Sequence, residues 1–174
     1  MTDYNQPLTP GDVDNGIINV VVEIPAGSKN KIEWNRDEEV MQLDRIESDS
    51  EPANYGFIPQ TLNDDGDELD AIVLGSPLPT ETFVKAMIIG VMKFEDEGKS
   101  DDKIIVVPEN ITGKFANINT IDDIQKNKID EIVYHFNHSK DFGHGITTVK
   151  GWGDIETAKN VIQKAMKLWD KNKN

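Results

Sequence analysis

Gly16-Ile17-Ile18-Asn19-Val20-Val21-Val22-Glu23-Ile24 is the stretch that decides the fold. Most of its residues are β-branched, and their restricted χ1 suits an extended backbone better than a helix. It is also too short for a buried helix, so it reads as a strand. Pro25-Ala26-Gly27-Ser28 then turns the chain. Further outward, shorter strand candidates follow at 31–35, 41–45, 55–58, 70–74, 83–94 and 103–107, separated by Pro, Gly and Asp/Asn clusters. This spacing predicts a compact antiparallel barrel or sandwich.

The last third changes period. Ile121, Ile124, Ile129, Ile132, Val133 and Phe136 recur at helical spacing, and Thr120 with Asp123 resembles a capping box. Ile155, Ala158, Val161, Ile162, Ala165, Leu168 and Trp169 mark a second amphipathic helix with Asp154 as its N-cap. Both stripes read as core contacts. The chain is expected to form one domain over 1–174: an N-terminal extension at 1–15, a barrel core at about 16–110, and helices at 120–138 and 154–171. The fold class is α+β, mainly β, a β-barrel with C-terminal helices packed on it.

Composition narrows the function. Acidic residues number 32 against 18 basic ones, a formal net charge of −14. That balance repels nucleic acid and anionic membranes, because phosphate contacts need an excess of Lys and Arg. No segment approaches the roughly 18 apolar residues that span a bilayer. The N-terminal stretch lacks the basic start and apolar run of a signal peptide, so the cytoplasm is the expected compartment. With no cysteine, thiolate metal sites and cysteine nucleophiles are excluded.

Asp65-Gly66-Asp67-Glu68-Leu69-Asp70 sets three aspartates in a tight loop entering a strand. Carboxylates this close repel one another unless a cation compensates them, and hard divalent cations prefer such oxygen ligands. An EF-hand does not fit: with its required glycine at Gly66, Thr61 would be the first ligand and Ile72 would replace the bidentate Glu. A solvated acidic turn is the bland alternative. A second cluster, Asp96-Glu97-Gly98-Lys99-Ser100-Asp101-Asp102-Lys103, lies on a hairpin loop. If both clusters face one barrel mouth, they form a cage for several divalent ions, suited to displacement at a phosphoryl group. Lys31 and Arg45, beside acidic residues in candidate strands, are placed to clamp phosphate oxygens.

From about Asn19 to Trp152 the chain resembles the soluble family I inorganic pyrophosphatases. The resemblance is carried by Val22-Glu23-Ile24-Pro25, Asn30-Lys31-Ile32-Glu33, Leu43-Asp44-Arg45, Pro52-Ala53-Asn54-Tyr55-Gly56-Phe57-Ile58-Pro59, the Asp65–Asp70 run, Asp96 to Lys103, Lys140-Asp141 and Gly151-Trp152. It implies an OB-like antiparallel β-barrel and magnesium-dependent hydrolysis of pyrophosphate to two orthophosphates by metal-bound hydroxide. On the matching positions, Asp65, Asp70 and Asp101 would hold a first metal, and Asp70 would also anchor a second. Asp67 would accept the proton of the bridging water. Asp96 and Asp101, supported by Glu23, would bind a metal arriving with substrate, and Glu33 a further, water-mediated one. Lys31, Arg45, Tyr55, Lys103 and Lys140 would contact substrate or product. The resemblance also implies a homo-oligomer, commonly a hexamer.

Three positions depart from the family pattern. Glu51, Ile32 and Ser139 stand where tyrosine is expected. Ser139 keeps a hydroxyl without its reach, and Glu51 adds negative charge near an anionic substrate. The alternative function is therefore a non-catalytic homologue that binds divalent cations or phosphate. An acidic protein-interaction barrel is a third reading. His135, His138 and His144 are expected to pack or to make subunit contacts.

Overall fold

The computed structural model describes residues 3–139 and 145–172. The described strands are β1 (Gly11–Asp12), β2 (Ile17–Ile24), β3 (Asn30–Asn35), β4 (Val40–Ile46), β5 (Asn54–Ile58), β6 (Leu69–Val73), β7 (Phe83–Asp96), β8 (Lys99–Ser100), β9 (Lys103–Pro108) and β10 (Thr147–Gly153). Two helices follow the same order: α1 (Lys126–His138) lies between β9 and β10, and α2 (Ile155–Asn172) ends the fold.

The β-branched run becomes β2, which pairs with β5 on one side and with β7 on the other. The sequence of pairings β2–β5–β6–β9–β7 returns to β2, so five strands close a barrel. Closure removes the exposed edges that an open sheet would present. All these pairings are antiparallel except β6 with β9. β3 and β4 form a separate two-stranded hairpin.

Strand alternation divides the apolar side chains between two layers. Leu69, Ala71 and Val73 join Ile104 and Val106 in a cluster with Ala158, Ile162 and Ala165 of α2. Their neighbours Ile72, Leu74, Ile105 and Val107 face Ile132 and Phe136 of α1. Most of each helical stripe thus makes core contacts, as its period predicts, while Val133, Leu168 and Trp169 are half-buried outside these clusters. At the β2–β5 crossing only glycine fits, since a Cβ on Gly56 would lie 2.0 Å from the Val21 carbonyl oxygen.

Several details differ from the sequence-based expectation, among them the parallel β6–β9 pair in a barrel expected to be antiparallel. The helix expected over 120–138 is a short 3-10 turn, Ile121–Asp123, followed by α1. The capping box of Thr120 and Asp123 exists, but it closes that turn. Ile124 then leaves helical geometry at ψ 129°, which separates the two pieces. The expected strands omit β10, which pairs with the long β7 outside the closed ring, and the two-residue β1 and β8, which pair with β2 and β7. Asp154 caps α2 as expected, its Oδ1 accepting the Thr157 amide at 2.8 Å.

Candidate active site

One cavity of about 320 Å³ opens among the barrel, the β3–β4 hairpin and the end of α1. Every described residue singled out for a site lines it: Glu23, Lys31, Glu33, Arg45, Tyr55, Asp65, Asp67, Asp70, Asp96, Asp101, Lys103 and Ser139. Lys140 lies outside the described residues, as do Asp141 and His144.

Local folding explains how the carboxylates converge. In the loop before β6, the Asp67 amide donates to Asp65 Oδ1 at 3.1 Å and the Asn63 amide to the Asp67 carbonyl at 2.8 Å. Gly66 sits at φ +100°, a left-handed conformation that glycine adopts without a Cβ clash. Asp70 then falls within β6. On the other side, Asp101 is held by its own amide donating to the Phe94 carbonyl at 2.9 Å. Adjacent Asp102 accepts from Lys93 Nζ and from the Phe94 amide, fixing the hairpin that carries Asp96 and Asp101.

Lys103 occupies the centre. It is only 3% exposed, and its Nζ donates to Asp70 Oδ2 at 2.5 Å and Asp101 Oδ2 at 2.6 Å. Burial alone would push its pKa down, but the two carboxylates outweigh burial and raise it. The ammonium also lies 5.5 Å from the Phe94 ring centroid and 5.9 Å from that of Tyr55. Burial raises the Tyr55 pKa, reinforced by Asp70 and Asp101, so its hydroxyl remains a donor. At the rim, Lys31 Nζ pairs with Glu33 at 2.9 Å, and Arg45 pairs with Asp44 and Glu47.

Negative charge exceeds what these bases neutralise, because acidic residues outnumber Lys and Arg eleven to four in the lining. Burial, reinforced by Asp70, Glu33 and Glu68, pushes Glu23 up to about 8 even though its Oε1 accepts the Trp34 amide. Burial also raises Asp67, followed by its neighbours Asp65 and Glu68, and raises Asp101 against the pull of Lys103. Among the described residues no three acidic or imidazole groups form a ready ligand cluster. The donor chemistry nevertheless fits hard divalent cations: the ligands on offer are carboxylate oxygens, and they carry uncompensated charge.

The structure corrects the expectation for one histidine and settles the departures. His135 does more than pack: it lines the cavity and its Nε2 lies 3.2 Å from Glu51 Oε2. Glu51 therefore faces inward and is paired. Desolvation lowers the His135 pKa, but Glu51, then Glu47 and Asp49, raise it overall. The Ser139 hydroxyl turns to the end of α1, donating to the Phe136 carbonyl at 3.2 Å. Ile32 lines the wall as an apolar residue. Asp49 and Lys29 were not singled out by the sequence; they join the lining only because the 47–53 loop and the β3 hairpin fold over the cavity.

The fold and cavity together define a class: an OB-like barrel whose mouth holds a polyanionic cage rimmed by Lys and Arg. The inorganic pyrophosphatase family profile matches residues 20–170. The chain is 53% identical over 175 residues to the inorganic pyrophosphatase of Neisseria meningitidis serogroup B, covering 98% of this chain and 99% of that protein. Identity with the Saccharolobus solfataricus inorganic pyrophosphatase is 40%, covering 91% and 95%. The crystal structure of an inorganic pyrophosphatase from Neisseria gonorrhoeae superposes with a TM-score of 0.92 at 52% identity, covering 97% of this chain and 99% of that one. This chain belongs to the inorganic pyrophosphatase family.

Proposed function

We propose that the chain hydrolyses inorganic pyrophosphate to two orthophosphates with magnesium as its cation, and that residues 1–174 act as one catalytic domain. The observation that carries this reading is the convergence of the carboxylates of two separate loops and the basic rim on one cavity. Asp65, Asp70 and Asp101 would hold magnesium at the cage centre, with Asp96, Glu23 and Glu33 serving further ions. Bound there, magnesium supplies charge neutralisation for the phosphates and acidifies the attacking water.

The chain's own groups perform the rest. Asp67, on the loop between the proposed metal ligands Asp65 and Asp70, accepts the proton of that water. Two of the three Lys103 donors are taken by Asp70 and Asp101, leaving one for a phosphate oxygen. Tyr55 offers a hydroxyl without formal charge. Lys31 and Arg45 at the rim stabilise charge on the departing phosphate, with Lys140 as a further contact. His135, when protonated, offsets Glu51, an acid in the cavity wall where the family pattern expects tyrosine.

That offset favours turnover over the non-catalytic, phosphate-binding alternative. By the same family reading, the protein is a homo-oligomer, a hexamer, and works in the cytoplasm; no described helix is long and apolar enough to cross a membrane. Phosphate release from pyrophosphate, titrated with magnesium, tests the proposal. Two phosphates per substrate are expected, with a requirement for magnesium that other divalent cations can meet in its place. Folded protein that binds magnesium and phosphate without turnover would select the alternative.

A further inference from the structure

Asp67 lies on an exposed loop tip, yet a proton acceptor must hold its aim. Most bonds around it are local to residues 63–67. Lys164 reaches Asp64 at 3.4 Å between two exposed side chains, too far out to orient Asp67. The stronger external tie is Arg36, just beyond β3. Its Nη2 donates to the Gly66 carbonyl at 3.2 Å and to Glu68 Oε2 at 2.7 Å, while its Nε donates to Glu68 Oε1 at 3.1 Å. One guanidinium therefore grips the residue before Asp67 and the residue after it.

Glu68 is itself anchored. It is 8% exposed, and Asn5 Nδ2 donates to its Oε1 at 2.8 Å. Asn5 is buried and bonded twice to Gln60, through its Oδ1 and its carbonyl. Beside it, Tyr4 packs edge-on against Trp34 and Phe57. The N-terminal segment is thus seated on the barrel, and it seats Glu68 for Arg36. A fork of fixed N–H donors suits this double grip; a lysine ammonium cannot reproduce its planar geometry.

We propose that Arg36, seated by Glu68 and Asn5, is a positioning residue that aims Asp67, coupling the β3–β4 hairpin and the N-terminal segment to turnover. This rests on the pyrophosphatase reading above, with Asp67 as proton acceptor. A 1 Å displacement of a reacting group can cost about a hundredfold in rate. In a magnesium-saturated phosphate-release assay, Arg36→Met is expected to lower kcat by about ten- to a hundredfold with KM within about twofold. Arg36→Lys should recover only part of the loss, and it replaces Arg36→Met if that variant fails to fold.

The double variant with Asp67→Asn is decisive. If Arg36 acts through Asp67, adding Arg36→Met to Asp67→Asn costs nothing further; independent, multiplying losses would overturn the proposal. Unchanged kcat in folded Arg36→Met would overturn it too. Amide hydrogen exchange across 64–68 supplies a readout free of activity: faster exchange in the variant is expected, and unaltered exchange contradicts the clamp. Wild-type protein that releases no phosphate would overturn the pyrophosphatase reading alone, and the exchange measurement would still decide the clamp.

Discussion

Replacing Glu51 by Gln tests how the cavity tolerates an acid in its wall. The Glu51 and His135 side chains are 11% and 14% exposed and 3.2 Å apart, so their pairing is little screened by solvent. The His135 pKa is raised overall, Glu51 and its neighbours Glu47 and Asp49 outweighing the opposing effect of burial. A raised histidine pKa means that the folded state binds the proton more tightly than the unfolded state. The resulting stabilisation is fully present below the unfolded value of 6.5 and is lost as pH rises through the folded value. A hydrogen bond to a charged group contributes about 1.5–3 kcal/mol, or roughly 3–12 °C in Tm for a chain of this size. Thermal unfolding of wild type and Glu51→Gln from pH 5.5 to 9 should show a gap of that order in acid that closes in alkali. A gap constant with pH would refute the charged pairing and leave packing as the sole role of His135. The same variant should lower KM for pyrophosphate at alkaline pH, where the wild-type carboxylate stands uncompensated.

Lys103→Met should leave Asp70 and Asp101 facing each other without a cation, costing about 3 kcal/mol, or roughly 6–12 °C in Tm. Melting in chelator and then in magnesium should show the deficit narrowing with the metal; an equal deficit in both would argue against a cation taking those carboxylates. Asp154→Ala removes the oxygen that caps α2 at Thr157 and should cost about 1 kcal/mol with kcat unaltered. A loss of turnover in that variant would show that α2 reaches the site in a way its position outside the cavity does not allow.

Much of the fold was legible because its local signals agree. The β-branched run 16–24 became β2, and the apolar stripes of 155–165 became the buried face of α2. β10 was obscured because Thr147-Thr148-Val149 is followed by Gly151 and Gly153 and lies between helices, so its assignment depends on the distant partner β7. The parallel pairing of β6 with β9 and the break at Ile124 are likewise settled by tertiary contacts. At the site, the carboxylates and rim bases could be named from their motifs. The pairing of Glu51 with His135 could not, since periodicity gave His135 only a place on a helix. Nor did Arg36 show: its role appears only when the hairpin folds back over the 65–68 loop.

The central claim is that this cavity hydrolyses pyrophosphate with Asp67 as proton acceptor. Phosphate release by wild type and Asp67→Asn, side by side in saturating magnesium, tests it most directly. The account predicts turnover by wild type and a loss of about 10²–10⁴-fold in kcat for a variant that remains folded. Equal turnover by the two proteins, or none by folded wild type, would contradict it.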